Sequence, residues 1–157
     1  MAARSRYAEL ARQLSAIGVV KRGLARTLPA DCPGGCAAVL TTLDRYGEMR
    51  MSRLAELLAV DMSVTSRHVA HAARRGWLAR SPDPADRRSR ILRLTPAGHL
   101  LLDELTRRTT ETFAYALADW TDDDVGRLGA LLDRLRESFS PDPPRDSFRP
   151  GPPRDSF

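Results

Sequence analysis

A chain of 157 residues, 42% hydrophobic and 29% charged, has room for one domain with a real core and a short appendage. No apolar run approaches the ~20 residues needed to cross a bilayer. The opening MAARSRYAEL lacks the apolar stretch of a secretory signal, so a cytoplasmic protein is expected. The net charge of +5 is carried almost wholly by arginine and is unevenly placed. Residues 50–96 hold ten arginines against four acids, whereas 97–140 hold five against nine, which marks a localised polyanion-binding surface.

In chain order, residues 4–28 place Tyr7, Leu10, Leu14, Ile17, Leu24 and Leu28 at three- and four-residue steps. That spacing predicts one long amphipathic helix, interrupted on its seam only by Lys21. PADCPGG is a breaker-rich turn, after which Val39, Leu40 and Leu43 predict a helix from about Cys36 to Tyr46, closed by Gly47. Ser52 reads as the cap of a short helix burying Leu54, Leu57 and Leu58. A turn at 60–62 follows, and Ser63 reads as the cap of a further helix running to Arg75.

Two β-capable stretches, 77–80 and 89–95, flank the polar PDPADRR. Thr95 with Pro96 predicts the start of another helix, reaching about Trp120. Thr121 followed by three aspartates predicts the last, built on Val125, Leu128, Leu131, Leu132 and Leu135. From 141 to 157 the composition changes to a proline-rich tail that repeats PPRDSF and reads as disordered. The predicted fold is mainly α with a small β-wing, a winged helix-turn-helix.

The string SVTSRHVAHAARRGW sets Ser63 at the helix start and Ser66, Arg67, Ala70 and His71 on one face, with Thr65, Val69 and Ala72 on the other. Small polar groups and an arginine suit a major groove about 12 Å wide, although a merely solvated face has the same composition. In the wing, Arg87, Arg88 and Arg90 gather around Asp86. Arginine suits a narrow minor groove. Asp86 fits better as a shaping group that pairs with a neighbouring arginine and lets Arg88 project.

The string DRRSRILRLTPAG fits the pattern D-x-R-S-x-x-x-x-L-T-x-x-G, and on this string and the helix order the chain resembles the MarR family of bacterial transcriptional regulators. The resemblance runs from Arg4 to about Phe139. It implies a domain over 1–140, with dimerisation helices at about 4–28 and 97–140 and a DNA-binding lobe at about 33–96. It further implies a homodimer on a pseudo-palindromic operator in double-stranded DNA, acting mostly as a repressor. Ser63, Ser66, Arg67 and His71 match recognition-helix positions, Arg88 the minor-groove arginine and Asp86 the wing-shaping acid. His68, Ala72 and Trp77 depart from the family's usual side chains, Trp77 standing where it would fill volume lost at Ala72.

Three signals for such a regulator are open. One is a small anionic or phenolic effector in a cleft between lobe and dimer helices, which the resemblance implies. Another is oxidation of Cys32 and Cys36, four residues apart beside a helix start. The third, a metal, is disfavoured because His68, His71 and His99 lack zinc-site spacing. No cofactor is expected. There is no Gly-rich phosphate loop, H-x-x-x-H or G-x-S-x-G, and the 122–124 aspartates read as helix capping, so an enzyme is not expected. The rival reading is a winged-helix protein-interaction module without DNA binding.

Overall fold

The computed structural model describes residues 2–139, and the duplicated tail lies outside them. Its elements are α1 (Ala2–Ala16), α2 (Gly18–Ala25), α3 (Gly34–Tyr46), β1 (Met49–Arg50), α4 (Met51–Leu58), α5 (Met62–Arg74), β2 (Leu78–Asp83), β3 (Asp86–Leu94), α6 (Pro96–Ala116) and α7 (Asp122–Phe139). The mainly helical fold with a small antiparallel wing is thus as expected.

The predicted long first helix is two helices. The ladder tightens where the Ile17 amide bonds the Leu14 carbonyl at 3.3 Å, three residues back. Gly18 and the β-branched Val19 and Val20 follow at once, and these weak helix formers allow the break. Helix α3 starts earlier than predicted, at Gly34, because the Pro33 carbonyl already accepts from the amides of Cys36 (2.8 Å) and Ala37 (3.0 Å). It buries Cys36, Val39, Leu40 and Leu43 as one stripe and stops at Gly47, whose φ of +81° suits glycine.

The predicted serine caps are corrected too. The residue preceding α4 is Arg50 and that preceding α5 is Asp61, with neither side chain capping, so Ser52 and Ser63 lie inside the first turns. Between these helices the chain turns through Ala59, a non-glycine residue in the left-handed region (φ 52°, ψ 42°).

The sheet has the order β1-β3-β2, all antiparallel, and β1 was not anticipated from the sequence because it is two residues long. Leu92 of β3 pairs with Met49 on one side and Arg80 on the other. The core joins Leu40, Leu43, Leu54, Val69, Ala72, Leu78 and Leu92 with the first half of α6 through Leu105. Alternate faces of the strands and single stripes of the helices supply it, as amphipathic elements must.

Helix α6 begins as predicted. Thr95 Oγ1 accepts from the Gly98 amide at 3.1 Å and Pro96 takes the first turn. Gly98 is required by crowding, since a Cβ there would stand 2.1 Å from the Trp77 carbonyl oxygen. The helix ends at Ala116, short of Trp120. In α7, Thr121 Oγ1 accepts from the Asp124 amide (3.2 Å) and donates to Asp124 Oδ2 (2.8 Å), a reciprocal start of the kind the TDDD run predicts. Neither α2 nor α7 buries a single residue. Among the described residues no helix is long and apolar enough to cross a membrane.

Candidate nucleic-acid interface

The buried face of α5 is Thr65, Val69 and Ala72. With these turned inward, Ser63, Ser66 and Arg67 are left exposed. Arg67 makes no ion pair among the described residues, so its guanidinium is available at the outer surface. Ala70 and His71 are half-buried.

His71 does not join that outward set. Its Nε2 donates to the Asp31 carbonyl at 2.7 Å, which fixes the protonated nitrogen because a carbonyl only accepts. Arg75 pairs with the Asp31 carboxylate and lays its guanidinium 5.4 Å from the centre of the Trp77 ring. The rings of His71 and Trp77 lie 6.0 Å apart and tilted. Asp31, His71, Arg75 and Trp77 therefore fasten the end of α5 to the loop before α3. Asp31 and Arg75 are 44 residues apart, so no local pattern announces them.

His68 packs against α3. Its imidazole stands where a Gly35 side chain would be, within 2.3 Å of an added Cβ. Glycine on α3 thus makes room for the ring on α5. Trp77, half-buried, lies against the core that includes Ala72.

In the wing, β2 and β3 pair from Leu78 with Leu94 to Asp83 with Asp86, with an irregularity after Pro82. Among the described residues, Asp86 is held by two donors at the turn. Its Oδ2 accepts from Ser89 Oγ at 2.8 Å and its Oδ1 from the Arg88 amide at 3.0 Å. These two donors, Ser89 first, hold its carboxyl below the ordinary carboxylate value. Arg88 and Arg90 are exposed; Arg87 is in β3, its side chain lying outside the described residues.

The wing has a second fixture, which no local spacing in the sequence announces. Asp83 is buried and accepts from the Ala85 amide at 2.8 Å and from Arg50 Nε at 2.6 Å. The Ala85 N–H first, then the Arg50 guanidinium, hold its carboxyl low. Both acids of the wing are thereby committed to amides, a hydroxyl and Arg50. Arg80, Arg88 and Arg90 keep their charge with no ion-pair partner among the described residues.

Cys32 and Cys36 are both buried at 0% exposure. Burial pushes both thiols up, Cys36 to about 12, its neighbour Cys32 adding to the rise. His99 sits 3.5 Å from Asp44, away from the other histidines. Among the described residues no group of three or more His, Cys, Asp or Glu could hold a metal ion.

A separate cleft of about 550 Å³ lies between the end of α2 and α6, lined by Arg26, Thr27, Arg107, Arg108, Glu111 and Tyr115 among others. Arg107 bridges Glu104 (2.8 Å) and Glu111 (2.6 Å), and Arg108 bridges Glu104 (2.6 Å). Arg107 first, then Arg108, bring the Glu104 carboxyl down to about 2. Arg108 Nη1 also donates to the Thr27 carbonyl at 3.3 Å, tying α6 to the chain leaving α2.

A helix, a turn, an outward-facing second helix and an arginine-bearing hairpin define a winged helix-turn-helix. The model of the MarR family matches residues 37–89, which span α4, α5 and most of the wing. The chain is 30% identical over 101 residues to YxaD of Bacillus subtilis, an uncharacterized HTH-type transcriptional regulator, covering 64% of this chain and 71% of that one. Its fold matches Sco3205 of Streptomyces coelicolor, a MarR family transcriptional regulator solved in complex with DNA (TM-score 0.64, 24% identity, 86% of this chain and 91% of that one). It also matches the PcaV transcriptional regulator of the same organism in complex with its natural ligand (TM-score 0.60, 24% identity, 83% and 92%). This chain belongs to the MarR family of transcriptional regulators.

Proposed function

We propose that this regulator is a homodimeric repressor of a pseudo-palindromic operator, released by a small anionic or phenolic ligand. One observation carries the DNA reading. Arg67 on α5 and Arg88 and Arg90 on the wing are exposed and have no carboxylate partner among the described residues, while Asp83 and Asp86 are turned to other donors. A surface so arranged is unneutralised cation beside small hydroxyls, the composition that duplex DNA selects. Ser63, Ser66 and Arg67 are assigned to the major groove, and Arg87, Arg88 and Arg90 to phosphate and the minor groove. His71 acts through the position of α5. The DNA complex of Sco3205 supports this use of the fold.

The dimer reading rests on α7, which buries nothing yet exposes Val125, Leu128, Leu131 and Leu132. Leu10, Leu14 and Ile17 on and after α1 and Phe113 on α6 are exposed as well. An apolar surface of this extent on separate helices matches what a second copy would cover.

For the signal, the α2–α6 cleft is the favoured seat of a ligand. Arg26 makes no ion pair among the described residues, and Tyr115 offers an exposed ring. The ligand complex of PcaV is in keeping with it. Oxidation at Cys32 and Cys36 has less support, because both thiols are buried and held protonated. A fluorescence titration with duplex from the regulator's own upstream region tests the reading. Arg67→Ala and Arg88→Ala should each weaken binding tenfold or more, about 1.4 kcal/mol per tenfold; wild-type affinity in both variants would favour a protein-interaction module.

A further inference from the structure

Helix α5 has a flank that neither the core nor the outward set of hydroxyls and Arg67 uses. At about 100° per residue, His68, His71 and Arg75 fall together about a quarter-turn from the buried Thr65, Val69 and Ala72, on the side away from Ser66. All three meet one short segment, residues 31–35, at the entry to α3. His68 fills the space beside Gly35, His71 Nε2 donates to the Asp31 carbonyl at 2.7 Å, and Arg75 pairs with the Asp31 carboxylate. Asp31 thus grips two successive turns of α5, one through its main chain and one through its side chain.

The segment that does the gripping is itself held. Pro29 and Pro33 bracket Asp31 with fixed φ. The Cys32 amide donates to the Pro29 carbonyl at 2.9 Å, and the Cys32 side chain is fully buried. Upstream, the Thr27 carbonyl accepts from Arg108 Nη1 at 3.3 Å, which ties the same stretch of chain to α6.

Stability is not what this grip supplies. The Asp31 and Arg75 side chains keep 47% and 43% of their exposure, and ion pairs so open to water add little to folding. General affinity for DNA is not served either, since a carboxylate beside the binding face repels phosphate. What the grip fixes is angle. From Arg75 to Ser66 is about 14 Å of helix, so a tilt of about 5° at the held end moves the reading end by about 1 Å. Hydrogen bonds to base edges span only about 2.7–3.2 Å and are broken or bent by such a shift.

We propose that Asp31 is a positioning residue for sequence discrimination: it touches no base and sets the tilt at which Ser63, Ser66 and Arg67 meet the major groove. The proposal rests on the DNA-binding reading above, and the test separates the two.

The full-length wild type first selects its preferred duplex from a randomised pool. Affinities for that duplex and for a scrambled one are then measured by anisotropy for Asp31→Asn, His71→Leu and His71→Gln, with circular dichroism as the check on folding. Asp31→Asn keeps the side chain's size, releases Arg75 and removes an acid. It should bind the selected duplex about fivefold or more weaker, the order of one misplaced base contact, while the scrambled duplex binds as well as before or better. His71→Leu loses the donor to the Asp31 carbonyl and should lower the same ratio, and His71→Gln keeps an N–H at that reach and should restore it. Asp31 is exposed, so Asp31→Asn carries the test even where a variant at the half-buried His71 fails to fold. A ratio unchanged in folded Asp31→Asn, whether both duplexes weaken, tighten or stay alike, overturns the proposal while the DNA reading stands. A ratio that folded His71→Gln fails to restore places His71 on the DNA itself and overturns it too. A wild type that selects no sequence overturns the DNA reading and the proposal with it.

Discussion

Arg50 and Asp83, 33 residues apart, close an ion pair across the root of the wing, with Arg50 Nε 2.6 Å from Asp83 Oδ2. The arginine is half-exposed and the carboxylate buried, so the pair anchors the hairpin to the junction of β1 and α4. Asp83→Asn should weaken DNA binding several-fold although Asp83 is assigned no DNA contact, because the hairpin would lose its fixed angle. The sign of the pH effect follows from the lowered carboxyl. The tie is fully present above the ordinary carboxylate value of 3.8 and is lost as pH falls through the lower folded one. DNA affinity measured across the neutral range should therefore show no change traceable to this pair. A wild-type affinity for Asp83→Asn would remove the anchor from the account.

Ala59 makes the sharp turn between α4 and α5 with φ at 52°. A residue with a Cβ pays roughly 1–2 kcal/mol there, while glycine costs some 0.5–1 kcal/mol in the unfolded chain. Ala59→Gly should accordingly raise stability by about 0.5–1 kcal/mol, read from the urea midpoint at unchanged slope. A lowered midpoint would mean that the methyl group has packing value that outweighs the strain.

The buried thiols give a kinetic prediction. With Cys36 pushed up to about 12 and no exposure at either sulfur, almost no thiolate is present at neutral pH. Alkylation by iodoacetamide should be slow in the native protein and rapid only in denaturant. Fast labelling of either cysteine in the folded state, with loss of DNA binding, would restore the oxidation reading.

The exposed leucines of α7 predict the assembly. Sedimentation of the wild type should give a dimer, and Leu131→Glu with Leu132→Glu should give a monomer whose lobe stays folded, since neither side chain is buried in the single chain. The same variant should bind DNA far more weakly, because two half-sites are no longer engaged together. A dimeric double variant would place the interface elsewhere.

What could be read from the sequence was what local pattern encodes. The 39, 40, 43 stripe, the Thr95 and Pro96 start, the TDDD start and the D-x-R-S wing are all short-range signals, and each named its element. The failures are of two physical kinds. Element ends depend on backbone geometry, so the tightening at Ile17, the early start of α3 and the uncapped entries at Arg50 and Asp61 were not visible. Partnerships across the fold depend on tertiary placement. Arg50 with Asp83, Asp31 with Arg75 and His71, and Gly35 beside His68 join residues that no spacing rule connects. For Asp86 the sequence named the acid, while the two donors that hold it, the Arg88 amide and the Ser89 hydroxyl, depend on how the turn folds back on itself.

Counting chains and measuring affinity together on one duplex separates a dimeric, sequence-reading regulator from every alternative. Fluorescence anisotropy and sedimentation of the full-length protein with its upstream DNA should give two chains per site. Binding should be at least a thousandfold tighter than to a scrambled duplex and should fall steeply with salt. Equal, weak binding to both duplexes, or a single chain per site, would contradict a dimeric, sequence-reading regulator.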